Sequence, residues 1–309
     1  MSGPPPERVP ADGGVLPVDK PTGPTSHDVV SRARRALSTR RVGHTGTLDP
    51  LASGLLLLCV GPATRLSQFI VGADKRYTTT IRMGAETDSL DAQGQVTRED
   101  DAWRNVTEAE ARAAVAALVG AQEQVPPAYS AKKVAGEAAH RRARRGEVFA
   151  LEAVPITIHD AELLRFEPPC LDVSVHVSSG TFVRAIARDL AASLGTVGHV
   201  TALRRTAVGP IGVSAAVSLE ELDEAGTLPW ITPLEAVSHL PGCSVDEVQA
   251  RRLAHGQRLD VNDVGPSDLG DVDGWVRIAH DGRLLAIGEI EDGALRPRKV
   301  FTTFESATS

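Results

Sequence analysis

The chain has 309 residues, 42% hydrophobic and 24% charged, a globular balance with a sizeable core that excludes a disordered or fibrous protein. The longest apolar run, Leu55 to Val60, is far too short to cross a bilayer, so no membrane association is expected. The net charge of −7 is uneven: 17 acids face 8 bases from Ser218 onward, whereas residues 1–217 hold 23 acids and 25 bases, so a nucleic-acid partner is not excluded.

Met1 to Gly14 is rich in Pro, Gly and charge and lacks an apolar signal core; it reads as a disordered leader of a cytoplasmic protein. Val15 to Val18 reads as a short strand. Thr25 and Ser26 are candidate caps for a helix from Asp28 to Leu37. Val29, Val30, Ala33 and Leu37 share one face of it, leaving Arg32, Arg34 and Arg35 towards solvent. From Arg41 to Gly54 three glycines and a proline rule out a regular element. Leu55 to Val60 then reads as a buried strand and Tyr77 to Met83 as another, rich in Thr and Ile.

Gly84 to Gly94 is a polar loop. Thr107 and Glu110 form a capping box for a helix from Ala111 to Val119, ended by Gly120. Gln124 to Lys133 starts extended ahead of its prolines. Val154 to Phe166 shows strand-like alternation, and Leu171, Val173, Val175 and Val177 alternate strictly with polar partners. Ser179-Gly180 turns the chain into a helix on which Phe182, Ile186, Leu190 and Leu194 recur, capped by Gly195. Val197 to Val208 is strand-like, with Arg204 and Arg205 included. A short capped helix and a proline-bearing break follow between Leu219 and Trp230. Trp275 to Ala279 and Leu284 to Glu289 read as strands joined by an Asp281-Gly282 hairpin signal. Without strict alternation of strand and helix, the fold class is α+β with a mixed, largely antiparallel sheet flanked by helices. It spans residues 15–235, with a small β-rich C-terminal domain at 236–309.

Cys59, Cys170 and Cys243 form no C-x-x-C pair, which suits a reducing compartment. The nine histidines show no metal-ligand spacing, and neither a Walker A nor a GxGxxG sequence is present, so no metal and no cofactor are expected. Two basic clusters stand out: Arg32, Arg34, Arg35, Arg40 and Arg41, then Lys132, Lys133, Arg141, Arg142, Arg144 and Arg145. Taken alone, each reads as a solvated helix face. The polar, glycine-rich loop carrying Asp49 lies between an arginine-bearing helix and a buried strand. Such a loop either presents an acid from a rigid scaffold or simply turns at Asp49-Pro50.

GHTGTLDPLASG (Gly43 to Gly54) closely resembles the active-site motif of the TruB family of tRNA pseudouridine synthases, shared by the Cbf5/dyskerin branch. Four further segments match in order: VDKPTGPTSHDVV from Val18, KRYTTTIRMGAETDSLDAQG from Lys75, QVPPAYSAKKVAGEAA from Gln124, and SSGTFVRAIARDL with GHVTALRRTAVG from Ser178. Together they cover about residues 15–210. The resemblance implies a pseudouridine synthase fold with a PUA-like C-terminal domain. It implies that uridine 55 in the T-loop of tRNA is flipped out and isomerised. Asp49 would be the catalytic aspartate, Tyr77 the ring that stacks on uracil and could relay a proton at C5, and Arg184 the partner of Asp49. Leu203 would pack against the base, Phe182 would either stack or pack there or belong to the plain core, and His44 would insert into the RNA and stack.

Asp49 would act on C6 of the base, attack C1′, or take the proton at C2′; the residues leave these three open. The arginine clusters gain a role on T-arm phosphates, so Lys20, Arg40, Arg41, Lys132, Arg141 and Arg142 join the substrate-binding candidates. Lys20 and Pro21 also read as braces of the catalytic loop. Phe182 stands where the family most often has Tyr and lacks its hydroxyl; Ser178 stands for a frequent Cys, and Lys132 for a common Leu. The expected partner is tRNA through its T-arm, with no obligatory protein subunit and a monomeric state. A guide-RNA-dependent synthase of the Cbf5/dyskerin type is the alternative, against which the acidic tail argues. A non-catalytic tRNA-folding chaperone is the other. Removing residues 240–309 is expected to weaken tRNA binding modestly without abolishing catalysis.

Overall fold

The computed structural model describes residues 8–129, 133–134, 137–138, 142, 145, 147, 151–224, 226–265, 269 and 274–301. Strands β1 (Gly14–Lys20), β2 (Val42–His44), β3 (Ala52–Val60) and β4 (Lys75–Met83) come first. β5 (Ala85–Thr87) pairs only with β6 (Val96–Glu99). β7 (Gly120–Gln124) follows, then a small ribbon of β8 (Lys133–Val134) and β9 (Glu137–Ala138). β10 (Val154–Glu167), β11 (Cys170–Val177), β12 (Gly198–Val208) and β13 (Ile211–Gly212) complete the first sheet. Its order is β1-β3-β12-β4-β11-β10-β7, with β2 on β3 and β13 on β12. Every ladder is antiparallel except β3 with β12, where Ala52 to Gly54 run parallel to Leu203 to Arg205. The expected mixed, largely antiparallel α+β architecture is therefore present.

That one parallel junction sets the end of the Asp49 loop against the middle of β12. The unbroken apolar run in β3 has a two-sided explanation. Leu56, Leu58 and Val60 enter one core with Leu16, Val18 and the inner face of helix α1 (Ser26–Ala36). Leu55, Leu57 and Cys59 enter a second core with Phe69, Ile70, Leu284 and Ile287. β11 is covered on one face only, and its residues alternate accordingly: Leu171, Val173, Val175 and Val177 are buried while Asp172, Ser174 and His176 are half-buried.

The second sheet joins β14 (Gly242–Ser244), β15 (Leu259–Asp260), β16 (Gly274–His280), β17 (Arg283–Glu291) and β18 (Ala294–Val300) in the order β14-β16-β17-β18-β15. The β16–β17 turn falls at Asp281-Gly282, with φ of 53° and 72°, as a type I′ hairpin demands. β17 lends Leu284 and Ile287 to the back of β1 and β3. These contacts tie the second sheet to the first: Val15, Leu55 and Leu57 share one core with Leu284 and Ile287 and are 0% accessible.

Local boundaries differ in instructive ways. The stretch read as a leader through Gly14 joins the body from Arg8. Its guanidinium donates to the carbonyls of Ala36, Leu222 and Glu224 at 3.0, 3.2 and 2.6 Å. Residues 1–7 lie outside the described residues. Thr25 alone caps α1, in a capping box with Asp28. The helix at Thr107 spans Glu108–Ala116; its end is Ala117, and Gly120 (φ 129°) opens β7 instead of capping. Part of the loop expected from Arg41 is regular, because Val42 to His44 find free pairing groups on the edge of β3.

Candidate active site

The Asp49 loop is held from below by buried polar side chains. Arg205, 1% exposed, sends Nε to the Leu55 carbonyl at 2.7 Å and Nη2 to the Gly46 carbonyl at 3.1 Å. The Ser26 hydroxyl meets both backbone groups of Leu48. Gly23 N–H donates to the Pro50 carbonyl at 2.8 Å, and Ala52 N–H to the Asp49 carbonyl at 3.0 Å. Gly54 lets strand and loop meet: its φ is 98°, and a Cβ there would lie 2.3 Å from the Arg205 carbonyl oxygen.

Lys20 is fully buried, and its Nζ donates to the carbonyls of Pro21 and Pro24 at 2.9 Å each. Two of its three N–H groups thus tie down the segment from Pro21 to Pro24 beside the Asp49 loop. Burial holds its pKa below the ordinary lysine value and Arg205 adds to this, while Asp49 opposes.

Above this floor, Asp49 meets Arg184, the second residue of the helix Val183–Ser193. Arg184 Nη2 lies 3.0 Å from Asp49 Oδ2, and Nη1 lies 3.3 Å from Asp91 Oδ2. The same fork donates to the carbonyls of Ser89 at 2.7 Å and Tyr129 at 2.9 Å. The two carboxylates differ in what is left over. Asp91 is 7% exposed, and its Oδ1 already accepts from the Ser89 hydroxyl at 2.7 Å and the Gln93 N–H at 3.0 Å. The Asp49 side chain is 39% exposed. Asp49 is thus the member of the pair open to a ligand.

Asp49 and Arg184 line a cavity of about 160 Å³ together with Tyr77, Phe182 and Leu203. Tyr77 is buried on β4, opposite Arg205 on β12, and its hydroxyl has no hydrogen-bond partner among the described residues. Leu203 pairs with Ala52 on one side and Thr79 on the other, so the parallel junction carries it to the cavity wall. Phe182 precedes the helix, and Gln124 grips its backbone: Phe182 N–H donates to Oε1 at 2.9 Å, and Nε2 donates to the Phe182 carbonyl at 3.2 Å. Ser178 finds use without a thiol, since its Oγ accepts from Thr157 N–H at 2.8 Å. The result is a small pocket with an aromatic wall, an aliphatic wall and one open carboxylate fixed by a guanidinium. It suits a flat heterocycle and acid–base or nucleophilic chemistry on it.

Leu203 also borders a wider, open cavity of about 740 Å³ lined by Thr22, Thr78, Thr80 and Thr201. The charged groups there serve each other. Arg204 grips Asp19 at 2.6 and 3.0 Å, and Asp172 accepts from Thr80 at 2.6 Å and Arg165 at 2.7 Å. The smaller cavity is the one that Asp49 and Arg184 line, and the larger one opens beside it at Leu203.

The outer candidates divide. His44 sits half-buried at the end of β2, and its Nδ1 is buried with no hydrogen-bond partner among the described residues. Burial holds its pKa below the ordinary value, with Arg205 and then His27 adding to this, so the ring is neutral near pH 7. Of the first basic cluster, Arg32 pairs with Asp223 at 2.8 Å and Arg34 donates to the Val42 carbonyl at 2.9 Å. The sequence pattern turns both towards solvent, and each is half-buried on its partner. Arg35, Arg40 and Arg41 are exposed. Of the second cluster, Arg142 and Arg145 share Glu147 at 2.7 Å each. Lys132 and Arg141 lie outside the described residues. Ser26, Asp91, Gln124 and Arg205 also build the site, though no motif singles them out. Arg205 carries a signal, a charge inside an apolar strand pattern; the others look like ordinary cap and loop residues.

Known proteins resemble this chain along most of its length. The TruB family pseudouridylate synthase N-terminal domain matches residues 34–183. The tRNA pseudouridylate synthase B C-terminal domain matches 184–234, and a pseudouridine synthase II TruB C-terminal domain matches 241–301. The chain is 44% identical over 300 residues to tRNA pseudouridine synthase B of Thermobifida fusca, covering 94% of this chain and 99% of that protein. It is 44% identical over 297 residues to the protein of the same name from an Arthrobacter species, covering 93% and 96%. Among solved structures, a Cbf5-Nop10-Gar1 complex matches with a TM-score of 0.75 at 25% identity, over 94% of this chain and 85% of that one. An archaeal box H/ACA sRNP Nop10-Cbf5 complex matches with a TM-score of 0.71 at 25% identity, over 97% and 91%.

Proposed function

This chain belongs to the TruB family of pseudouridylate synthases, and on that premise we propose that it isomerises uridine 55 of the tRNA T-loop to pseudouridine, with Asp49 as the essential carboxylate. The activity is tRNA pseudouridine synthesis; the position and the residue roles are our own assignment. One observation carries the residue reading: Asp49, half-open and 3.0 Å from Arg184, faces a cavity walled by Tyr77, Phe182 and Leu203.

The reaction detaches uracil from C1′, turns it and rejoins it through C5. Atoms and oxidation state balance without a co-reactant, so these residues need only hold the base and act on it. A stacked base cannot reach Asp49, and flipping it out costs about a few kcal/mol. Stacking on an aromatic face returns about 1–3 kcal/mol per base, a role we give to Tyr77 with Phe182 beside it. The neutral ring of His44 can fill the gap left in the RNA without desolvating a charge. Arg35, Arg40 and Arg41, which are exposed, would meet T-arm phosphates. We take residues 15–235 as the catalytic domain and 236–309 as its C-terminal companion. The protein would act as a monomer in the cytoplasm. No helix among the described residues is long and apolar enough to cross a membrane.

The likeness to Cbf5 complexes keeps a guide-dependent reading in view. The test is tritium release from bare tRNA transcript carrying 5-tritiated uridine, comparing wild type with Asp49→Asn. Release by wild type alone, near one equivalent per tRNA and lost when the T-loop uridine is changed, supports the proposal. A folded wild type that binds tRNA and releases nothing overturns it in favour of guidance or chaperoning.

A further inference from the structure

We propose that Ser26 is a positioning residue for Asp49, acting through the peptide of Leu48. The inference rests on the reading of Asp49 as the reacting carboxylate. Ser26 is the first residue of α1 and is 2% exposed. Thr25 does the capping, accepting from Asp28 N–H at 3.1 Å, which leaves the neighbouring hydroxyl free of the helix. Ser26 uses it twice on one residue 22 positions away: Oγ donates to the Leu48 carbonyl at 3.1 Å and accepts from the Leu48 N–H at 2.8 Å.

Those two contacts matter because the Leu48 carbonyl and the Asp49 nitrogen share one peptide plane. The hydroxyl therefore sets the plane from which Asp49 hangs. Ala52 N–H fixes the following plane through the Asp49 carbonyl at 3.0 Å. Leu48 itself is anchored, 3% exposed in the core. With both flanking planes held, only the side-chain torsions of Asp49 remain, and Arg184 at 3.0 Å selects among them. Without the hydroxyl, two buried backbone groups lose their partner and the loop can relax. Being buried, Ser26 makes no contact with tRNA, so its effect falls on the rate and not on binding.

The test is single-turnover pseudouridine formation at saturating tRNA, with tRNA Kd and thermal midpoint measured for wild type, Asp49→Asn, Ser26→Ala and Ser26→Thr. A misplacement of about 1 Å at a reacting group costs about 100-fold. Ser26→Ala is expected to lose about tenfold to 100-fold in rate with Kd within about twofold of wild type, and Ser26→Thr, which keeps the hydroxyl, to recover most of it. Wild-type rate in Ser26→Ala, or equal losses in Ala and Thr matched by weaker binding, overturns the proposal. If Ser26→Ala does not fold, Ser26→Cys replaces it, and a rate equal to that of Ser26→Thr overturns the proposal. An active Asp49→Asn would instead sink the reading on which the proposal rests.

Discussion

Arg184 holds Asp49 at 3.0 Å through one guanidinium nitrogen while the other reaches Asp91 at 3.3 Å. One rigid fork thus spans two carboxylates, and only Asp49 is left open. A lysine supplies one point charge and cannot span both. Arg184→Lys is expected to lose about 100-fold in single-turnover rate while tRNA binding changes little. Arg184→Ala additionally strands Asp91, and urea unfolding should register a loss of about 3–5 kcal/mol.

The Tyr77→Phe substitution would separate stacking from proton transfer. Tyr77→Phe keeps the ring and removes a hydroxyl that has no hydrogen-bond partner among the described residues, so the thermal midpoint should hold within a few degrees. If the hydroxyl relays a proton, the rate falls by about 100-fold with Kd unchanged. A Tyr77→Phe enzyme at full rate would leave Tyr77 with stacking alone.

Gly54 is the point where loop and β12 touch. A Cβ there collides with the Arg205 backbone at 2.3 Å and must also sit at a φ of 98°. Gly54→Ala should cost about 3 kcal/mol or more in urea unfolding, with activity falling alongside because Arg205 supports Gly46. Unchanged stability would mean the strand can slide.

The C-terminal sheet is a structural cover. Ile287, 0% exposed, packs beneath β1 and β3, and Ile287→Ala should cost about 2–5 kcal/mol in chemical denaturation. Truncation before Pro241 should produce a destabilised, aggregation-prone chain, because Val15, Leu55 and Leu57 then lose Leu284 and Ile287 from their shared core. A soluble truncation with the wild-type thermal midpoint would refute this.

Lys75 gives a pH signature. Burial lowers its pKa from 10.5 to about 8, Arg205 adds to the shift, and Asp74 opposes it. Between those two values the unfolded chain binds more protons than the folded one, so stability rises as pH rises from about 8 towards 10.5. Lys75→Met should flatten that rise in unfolding free energy measured across the interval. A slope unaltered by the substitution would assign the titration elsewhere.

Much of this was legible in the chain because it is local physics. Two-residue alternation marks β11, a capping box marks the helix at Thr107, and Asp281-Gly282 marks a hairpin. Five segments resembling one family named Asp49, Tyr77 and Arg184 and their expected closeness. What the chain could not disclose depends on distant partners. The parallel pairing of β3 with β12 decides where Leu203 points. Covering both faces decides that Leu55 to Val60 shows no alternation. Ser26 reads as a cap and Arg32 as a solvent charge, and Lys20 as either a brace or a substrate contact, until Leu48, Asp223 and Pro24 arrive as their partners. A polar side chain announces its need for a partner in the sequence; which partner is near enough to satisfy it is decided only when the sheets assemble.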